Sequence, residues 1–331
     1  MTAEEGILRP PSESRSLLIR LVRNCPWNRC RFCPAYKAAA FSVRPVDEVL
    51  ADIEELAQDP LLQQCRNAFL QDADALVMPV ESLVQILGVL RQRFPNLSRI
   101  TSYARATTLF HLRDDDLSRL HQAGLGRIHV GIETGCDEVL RFMDKGTSHN
   151  RQKEACIKVK AAGIELCCYL MPGLGGRRWS VSHAQESARL VREVEPHHVR
   201  LRTCYVLAGT PLAEDLAAGR YEPQTEEEIV REIRLLLTEI ASVKTELISD
   251  HRINLLLELR GYLPDDYQRL LGIIDRYLSL PTEDKQLFEA GRRLGLIRFL
   301  DELNHEETRA KIRAERHRYQ PSLPVPVSVL F

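Results

Sequence analysis

The chain has 331 residues and its charges nearly cancel, since 45 Lys and Arg residues stand against 46 Asp and Glu residues and give a formal net charge of −1. This balance produces no overall basic field, so nucleic acid is not indicated as a partner. No apolar run approaches the roughly 18 residues that a membrane-spanning helix needs, which argues against a membrane protein.

Short apolar segments alternate with helical patterns over the first two-thirds of the chain, as is typical of strand–helix units around a parallel sheet. Strands are predicted near residues 16–23, 68–71, 98–102, 127–132, 164–170 and 198–206. Amphipathic helices are predicted between them, over residues 46–57, 80–93, 114–123, 137–143, 150–162 and 181–194. Six such units predict an α/β fold, a partial (β/α)6 TIM-like barrel, and barrel enzymes place their chemistry at the carboxyl ends of the strands.

The alternation of strands and helices ends after the sixth unit, and the rest of the chain is predicted to form a mostly helical C-terminal region. Thr225 and Glu228 form a capping box that begins a long helix. Asp250, His251 and Asn254 mark a further predicted helix start, and a contribution to a substrate cavity is the alternative. The predicted domains are an N-terminal extension (1–14), the partial barrel (15–220), the helical region (221–320) and an extended tail (321–331).

A triplet of cysteines follows the first predicted strand. Cys25, Cys30 and Cys33 have the spacing CxxxxCxxC within nine residues, and the next cysteine, Cys65, lies 32 residues further on. Cuboidal iron–sulfur clusters normally take four Cys thiolates. Three thiolates therefore predict a [4Fe–4S] cluster with one iron open to a ligand that is not protein.

Zinc, a disulfide and inert thiols are the competing interpretations of this triplet. A structural zinc site needs four Cys or His ligands, and no His occurs in the first 110 residues. The cysteine count of nine is odd, and the acidic N-terminus lacks the apolar region of a signal peptide, which favours a reducing, cytoplasmic location over disulfides. Most of the other six cysteines are expected in the core.

With this triplet the chain resembles the radical S-adenosylmethionine (SAM) superfamily, although its first cysteine gap is one residue longer than the family's usual CxxxCxxC. The resemblance implies that the open iron binds the amino and carboxyl groups of SAM. It also implies that an electron from a donor such as flavodoxin or ferredoxin yields a 5′-deoxyadenosyl radical, which abstracts hydrogen from a substrate that the sequence does not identify. Phe32, directly before the last cysteine, would lie beside the adenine.

Polar residues follow the second and third predicted strands. Asp72 and Asp74 stand where the family has a short motif that receives the SAM amino group, and the resemblance implies that role for either one. Capping of the helix that begins near Pro79 is the alternative. Arg105 follows the third strand, where its guanidinium would meet the SAM carboxylate. An ordinary ion pair at the barrel rim is the alternative for Arg105.

The fourth predicted strand ends in Gly131-Ile132-Glu133-Thr134-Gly135. This stretch resembles one shared by oxygen-independent coproporphyrinogen dehydrogenase, the methylthiotransferases and the Elongator catalytic subunit. In that branch the carboxylate faces SAM, and Glu133 is the matching position. The resemblance also implies that Gly173 and Gly175, after the fifth strand, and Leu207, after the sixth, lie along the adenine and ribose. A plain Gly-rich turn is the alternative for the two glycines.

The sequence thus predicts a radical SAM enzyme whose reaction is unassigned. An iron–sulfur protein of electron transfer or redox sensing is one alternative, and it would need no SAM pocket. A zinc protein with a helical interaction domain is another. The longer first cysteine gap also leaves open SAM cleavage with aminocarboxypropyl transfer.

Overall fold

A computed structural model describes residues 9–37 and 40–319, and the chain forms two compact units. The predicted tail over 321–331 and the first eight residues of the predicted N-terminal extension lie outside the described residues. Among the described residues, the first unit contains the chain up to Cys30 with Ala35–Ile132 and Gly146–Cys168, and the second contains Arg31–Pro34, Glu133–Lys145 and the chain from Tyr169 onward.

Strands of the described residues form one large and one small sheet. They are β1 (Leu17–Arg20), β2 (Val22–Arg23), β3 (Ser42–Val43), β4 (Asn67–Gln71), β5 (Arg99–Ala104), β6 (Leu125–Glu133), β7 (Glu165–Leu170), β8 (His198–Leu201), β9 (Thr245–Ile248) and β10 (Arg260–Leu263). The large sheet has the order β1-β4-β5-β6-β7-β8-β9-β10, and β2 pairs with β3. The pairs β1–β4, β4–β5, β5–β6 and β8–β9 are parallel, whereas β10 is antiparallel to β9.

Helices connect these strands and dominate the C-terminal part. They are α1 (Val46–Leu56), α2 (Val80–Arg93), α3 (Ala106–His111), α4 (Asp114–Ala123), α5 (Asp137–Phe142), α6 (His149–Ala161), α7 (Gly176–Val194), α8 (Pro211–Ala217), α9 (Glu226–Glu239), α10 (Tyr267–Ser279), α11 (Thr282–Arg293) and α12 (Glu306–Glu315). The predicted α/β class and helical C-terminal region are confirmed, and so is the capping box that begins α9. No helix within the described ranges is long and apolar enough to cross a membrane.

Apolar periodicity explains how the helices pack. In α2 the buried residues Leu83, Ile86, Leu87 and Leu90 recur at the spacing of one helix face. Strand β4, by contrast, is buried at four consecutive positions, as expected for a parallel strand covered on both sides. The register joins Ile19 to Leu70 across β1 and β4, so the residues that follow these strands emerge at the same edge of the sheet.

One sequence-based prediction for the C-terminal region is wrong. Residues 245–248 form a buried strand that pairs with β8, and Asp250, His251 and Asn254 lie in the turn after it, where no helix begins. A run of four residues is too short for periodicity to separate a strand from a helix, and pairing with a neighbouring strand decides the outcome. The sixth predicted strand is also shorter than expected, since β8 ends at Leu201.

Candidate active site

The loop after β2 carries the cysteine triplet. Cys25, Cys30 and Cys33 are each partly exposed, and none of the nine cysteines forms a disulfide. Asn28 adopts a left-handed backbone conformation with φ of 47°, which Asn tolerates better than most residues. Lys37 Nζ donates to the carbonyl oxygens of Asn28 at 2.8 Å and Cys30 at 3.2 Å. Contacts within the loop therefore fix its backbone while the thiols stay accessible.

The donor set of this loop fits a cubane cluster. Within residues 9–37 and 40–319, no three His, Cys, Asp or Glu side chains converge closely enough to hold a single metal ion. In a cubane each thiolate binds a different iron, so its ligands need not converge on one point as zinc ligands do. Three partly exposed thiols on one short loop supply three such ligands.

The longer first gap of the cysteine motif contains Trp27, which two arginines contact. The guanidinium carbon of Arg29 lies 4.9 Å from the ring centroid, and that of Arg105 lies 5.0 Å from it. Gly146 packs so closely that a Cβ there would come within 2.5 Å of the Trp27 ring. Trp27 therefore connects the cysteine loop to Arg105, the predicted partner of the SAM carboxylate.

The two aspartates after β4 are buried, and each accepts a hydrogen bond from a neighbouring segment. Asp72 accepts a hydrogen bond from the backbone N–H of Asn24 at 3.2 Å, next to the first cysteine, and Asp74 accepts one from Thr108 Oγ1 at 2.5 Å. Helix α2 begins without a side-chain cap, so the alternative that these aspartates cap it is wrong. Asp72 instead ties the start of the cysteine loop to the end of β4.

Glu133 has a left-handed backbone conformation. Its φ is 64°, a left-handed conformation that is uncommon outside glycine and is often found at functional sites. Its Oε1 lies 3.0 Å from Lys145 Nζ, and each of the two side chains is 13% exposed. Lys145 Nζ in turn lies 5.9 Å from the ring centroid of Phe32. The structure thus brings together Phe32 and Glu133, two residues predicted separately from the sequence.

Lys145 belongs to this group, and the sequence reasoning missed it. It lies twelve residues beyond Glu133, past the end of α5, and no motif marks it. A single Lys after a helix carries no pattern, so only the fold shows that its ammonium meets the Glu133 carboxylate.

Close packing explains why the last residue of the Gly-Ile-Glu-Thr-Gly stretch, Gly135, is a glycine. A Cβ on Gly135 would come within 2.3 Å of the Glu186 carbonyl oxygen in α7. The Gly135 N–H also donates to Ser187 Oγ at 3.0 Å. Only a residue without a side chain permits this approach.

The Gly-rich turn after β7 is fixed by side chains from the C-terminal part of the chain. Gly173 has φ of 86°, its N–H donates to Glu232 Oε1 at 2.8 Å, and its carbonyl accepts from Tyr221 Oη at 2.8 Å. Gly175 is the N-cap residue of α7. After β8, the Leu207 carbonyl accepts from Thr210 Oγ1 at 2.7 Å. These contacts explain the turns structurally, and the predicted contacts with adenine and ribose stay predictions.

Comparison with known proteins decides the family. The model of the family described as "Radical SAM superfamily" matches residues 19–191, more than half of the chain. The chain belongs to the radical SAM superfamily. Its members are enzymes, which confirms the predicted class, and the family implies a [4Fe–4S] cluster and SAM as cofactors.

Individual relatives come from the branch that the sequence resembles. A tRNA uridine(34) acetyltransferase of Methanocaldococcus jannaschii is 26% identical over 35% of this chain and 22% of its own length. A tRNA-2-methylthio-N(6)-dimethylallyladenosine synthase of Neisseria meningitidis is 26% identical over 74% of this chain and 55% of its own length. The radical SAM chain is thus similar to only part of each relative.

A solved structure supports the fold. Coproporphyrinogen III oxidase (HemN) from Escherichia coli, a radical SAM enzyme, superposes with a TM-score of 0.52 at 16% sequence identity, over 68% of this chain and 52% of its own. Identity this low supports the barrel-like architecture alone.

Proposed function

We propose that the chain binds a [4Fe–4S] cluster through Cys25, Cys30 and Cys33 and cleaves SAM reductively at the open iron. The 5′-deoxyadenosyl radical that the reduced cluster and SAM supply would abstract hydrogen from a substrate not yet identified. A reductant such as flavodoxin or ferredoxin would provide the electron. The observation that carries the proposal is a thiol triplet that lies within the region matched by the family model, in a chain that also pairs Glu133 with Lys145 beside Phe32.

The residues of this group match the chemical groups of SAM. A carboxylate accepts hydrogen bonds from ribose hydroxyls and offsets a sulfonium or ammonium charge, which suits Glu133. The positive charge of the Lys145 ammonium can pair with the carboxylate of the methionine part of SAM. The ring face of Phe32 can pack against the adenine. Because the two charged side chains are only partly exposed, water weakens their interactions less than on an open surface.

The remaining predicted residues are assigned supporting roles in holding the cysteine loop and binding SAM. Asp72, already bonded to the N–H next to Cys25, would hold the cysteine loop and, with Asp74, receive the SAM amino group. Arg105, oriented by Trp27, would add a second cation for the SAM carboxylate. Backbone groups near Gly175 and Leu207 would border the adenine.

Cluster binding is tested by comparing two cysteine variants after anaerobic reconstitution with iron and sulfide. Cys30→Ala removes a proposed ligand, whereas Cys65→Ala removes a partly exposed cysteine outside the motif. We expect wild type and Cys65→Ala to bind about four irons per chain, with visible absorbance and, after reduction, a cluster EPR signal. Cys30→Ala should lack the iron, the visible absorbance and the EPR signal, and it should keep its far-ultraviolet circular dichroism.

Full iron occupancy in Cys30→Ala would contradict the ligand assignment. A cluster lost equally from both variants would show that thiol removal perturbs the protein in general, and would contradict the specific role of the triplet.

A further inference from the structure

The second unit contains a group of cations that the proposed function does not use. Arg200 lies in β8, and Arg202 follows directly after the end of this strand. Arg200 is 4% exposed. Its Nη1 donates to Tyr169 Oη at 3.2 Å, and its Nη2 lies 3.3 Å from Asp250 Oδ2, in the turn after β9.

One side chain braces the backbone on both sides of Arg202. Asn254 Oδ1 accepts from the N–H of Thr203 at 2.8 Å, and Asn254 Nδ2 donates to the carbonyl of Leu201 at 2.9 Å. The N–H of Arg202 itself donates to the Leu170 carbonyl at 3.0 Å. The start of the Arg202 side chain is therefore fixed by three neighbouring hydrogen bonds.

The turn after β9 is held just as firmly. Arg292, which is buried, donates to the carbonyl oxygens of Arg252, Asn254 and Leu255 at 3.1, 2.7 and 2.9 Å. This turn carries Asp250 and His251. A polar loop that is braced by a buried guanidinium has the rigidity that ligand recognition requires.

Charges in this group do not balance. Asp250 pairs with Arg200, but no carboxylate in the described part of the chain pairs with Arg202, and its Nε is buried there without a hydrogen-bond partner. His251 supplies no negative charge that could pair with Arg202. Burial, together with the positive charges of Arg202, Arg252 and Arg200, lowers the pKa of His251 to about 3, so this imidazole is neutral at pH 7.

The neutral His251 ring presents a donor. Its Nδ1 accepts from the N–H of Ile253 at 3.4 Å, so the ring proton resides on Nε2. Arginine supplies planar, charged donors that match carboxylate and phosphate oxygens. The combination of a charged guanidinium without an acidic partner and a neutral imidazole N–H is suited to a small anion.

We propose that Arg202, supported by Arg200 and His251, binds an anionic group of the substrate, a carboxylate or a phosphate. This inference rests on the proposed function, because it takes SAM to be a separate ligand. SAM carries one carboxylate, to which the proposed function already assigns other cations. The anion at Arg202 therefore belongs to a second molecule.

The test is calorimetric titration of inorganic phosphate into the anaerobically reconstituted protein, with and without saturating SAM. We expect one phosphate per chain, an affinity that Arg202→Gln lowers at least about tenfold and Arg202→Lys lowers less, and no change on adding SAM. Arg189→Gln is the matched control, since Arg189 is an exposed residue of α7 that pairs with Glu186. It should bind phosphate as the wild type does.

Phosphate binding that is undetectable in the wild type, or that persists unchanged in Arg202→Gln, would overturn the assignment. Loss of phosphate binding in the presence of SAM would assign the site to the SAM carboxylate and would also overturn it. Formation of 5′-deoxyadenosine is measured in the same preparation. SAM cleavage without phosphate binding would contradict the anion site alone, whereas phosphate binding without SAM cleavage would contradict the proposed function alone.

Discussion

Glu133 holds a charged side chain on a left-handed backbone at the end of β6. A non-glycine residue in this conformation costs about 1–3 kcal/mol and persists only where its surroundings fix it. Here the Glu133 carbonyl accepts from the N–H of Met171 at 2.9 Å, and the carboxylate meets Lys145. In this conformation the carboxylate lies against the Lys145 ammonium.

Glu133→Gln keeps the shape of this side chain and removes its charge. We expect the variant to retain its cluster but to bind SAM at least about tenfold more weakly, because hydrogen bonds to charged groups contribute about 1.5–3 kcal/mol. Calorimetric titration of SAM into the reconstituted protein measures the change, with the exposed Glu214→Gln as control. Equal affinity in all three proteins would remove Glu133 from the site.

Gly135→Ala tests the close approach of α7. Its Cβ would meet the Glu186 backbone at 2.3 Å, whereas a Cβ on Gly272, within α10, would meet nothing within 4 Å. We expect Gly135→Ala to lower the free energy of unfolding by at least about 2 kcal/mol. Gly272→Ala should leave it unchanged or raise it by up to about 1 kcal/mol. Denaturant unfolding measures both, and equal stabilities of the two variants would refute the steric argument.

Sequence reasoning identified individual residues where a motif carried them. The spacing of the cysteine triplet indicated a cluster, and the resemblance of the Gly-Ile-Glu stretch to a family motif implied the role of Glu133. Lys145 and Trp27 were not assigned a role, since their positions depend on contacts between separate segments. The contact between Trp27 and Arg105 joins residues 78 positions apart in the sequence.

At the scale of elements, a C-terminal helix supports a turn of the predicted barrel. Glu232 lies in α9 and is 4% exposed. Its Oε1 accepts from the N–H of Gly173, and its Oε2 accepts from Ser180 Oγ at 2.7 Å. Because the carboxylate satisfies two donors at once, the start of α7 and the Gly-rich turn after β7 depend on a helix that follows them in the sequence.

Removal of this carboxylate should loosen the turn. In Glu232→Ala the buried N–H of Gly173 loses its acceptor, and an unsatisfied buried donor costs about 1–3 kcal/mol. Glu232→Gln keeps one acceptor oxygen and should lose less. Denaturant unfolding compares the three proteins. A Glu232→Ala protein as stable as the wild type would show that the turn does not need this contact.

The elements themselves were largely predictable up to β8. Six strands and the main helices between them follow from apolar runs and helical periodicity, as in α2. Strands β9 and β10 were missed because the apolar residues around them were assigned to helices, and β9 pairs with β8, a contact between separate segments that no local pattern shows.

For the molecule as a whole, a buried acid makes stability depend on pH. Glu13 is fully buried, accepts from Ser16 Oγ at 2.6 Å and lies 3.5 Å from His129 Nε2. Burial alone would raise the pKa of Glu13, but contacts with His129 and Ser16 outweigh it and lower this pKa from 4.5 to about 2. A lowered carboxyl pKa stabilises the fold above pH 4.5, and this contribution is lost as the pH falls from 4.5 toward 2.

Glu13→Gln should remove this pH-dependent contribution. At pH 7 we expect a loss of up to roughly 3 kcal/mol of unfolding free energy relative to wild type, and the difference should narrow between pH 4.5 and 2. Denaturant unfolding across this range measures it, with the exposed Glu307→Gln as control. Wild-type and Glu13→Gln curves that stay parallel down to pH 2 would contradict the assignment.

We propose that this radical SAM chain cleaves SAM to 5′-deoxyadenosine at a cluster held by the triplet. The most direct measurement is chromatography of the products after anaerobic reconstitution, reduction with dithionite and addition of SAM without substrate. We expect slow release of 5′-deoxyadenosine by the wild type and by Cys65→Ala, and none by Cys30→Ala. A stable, reducible cluster that leaves SAM intact, or that yields methylthioadenosine in place of 5′-deoxyadenosine, would contradict the proposed cleavage.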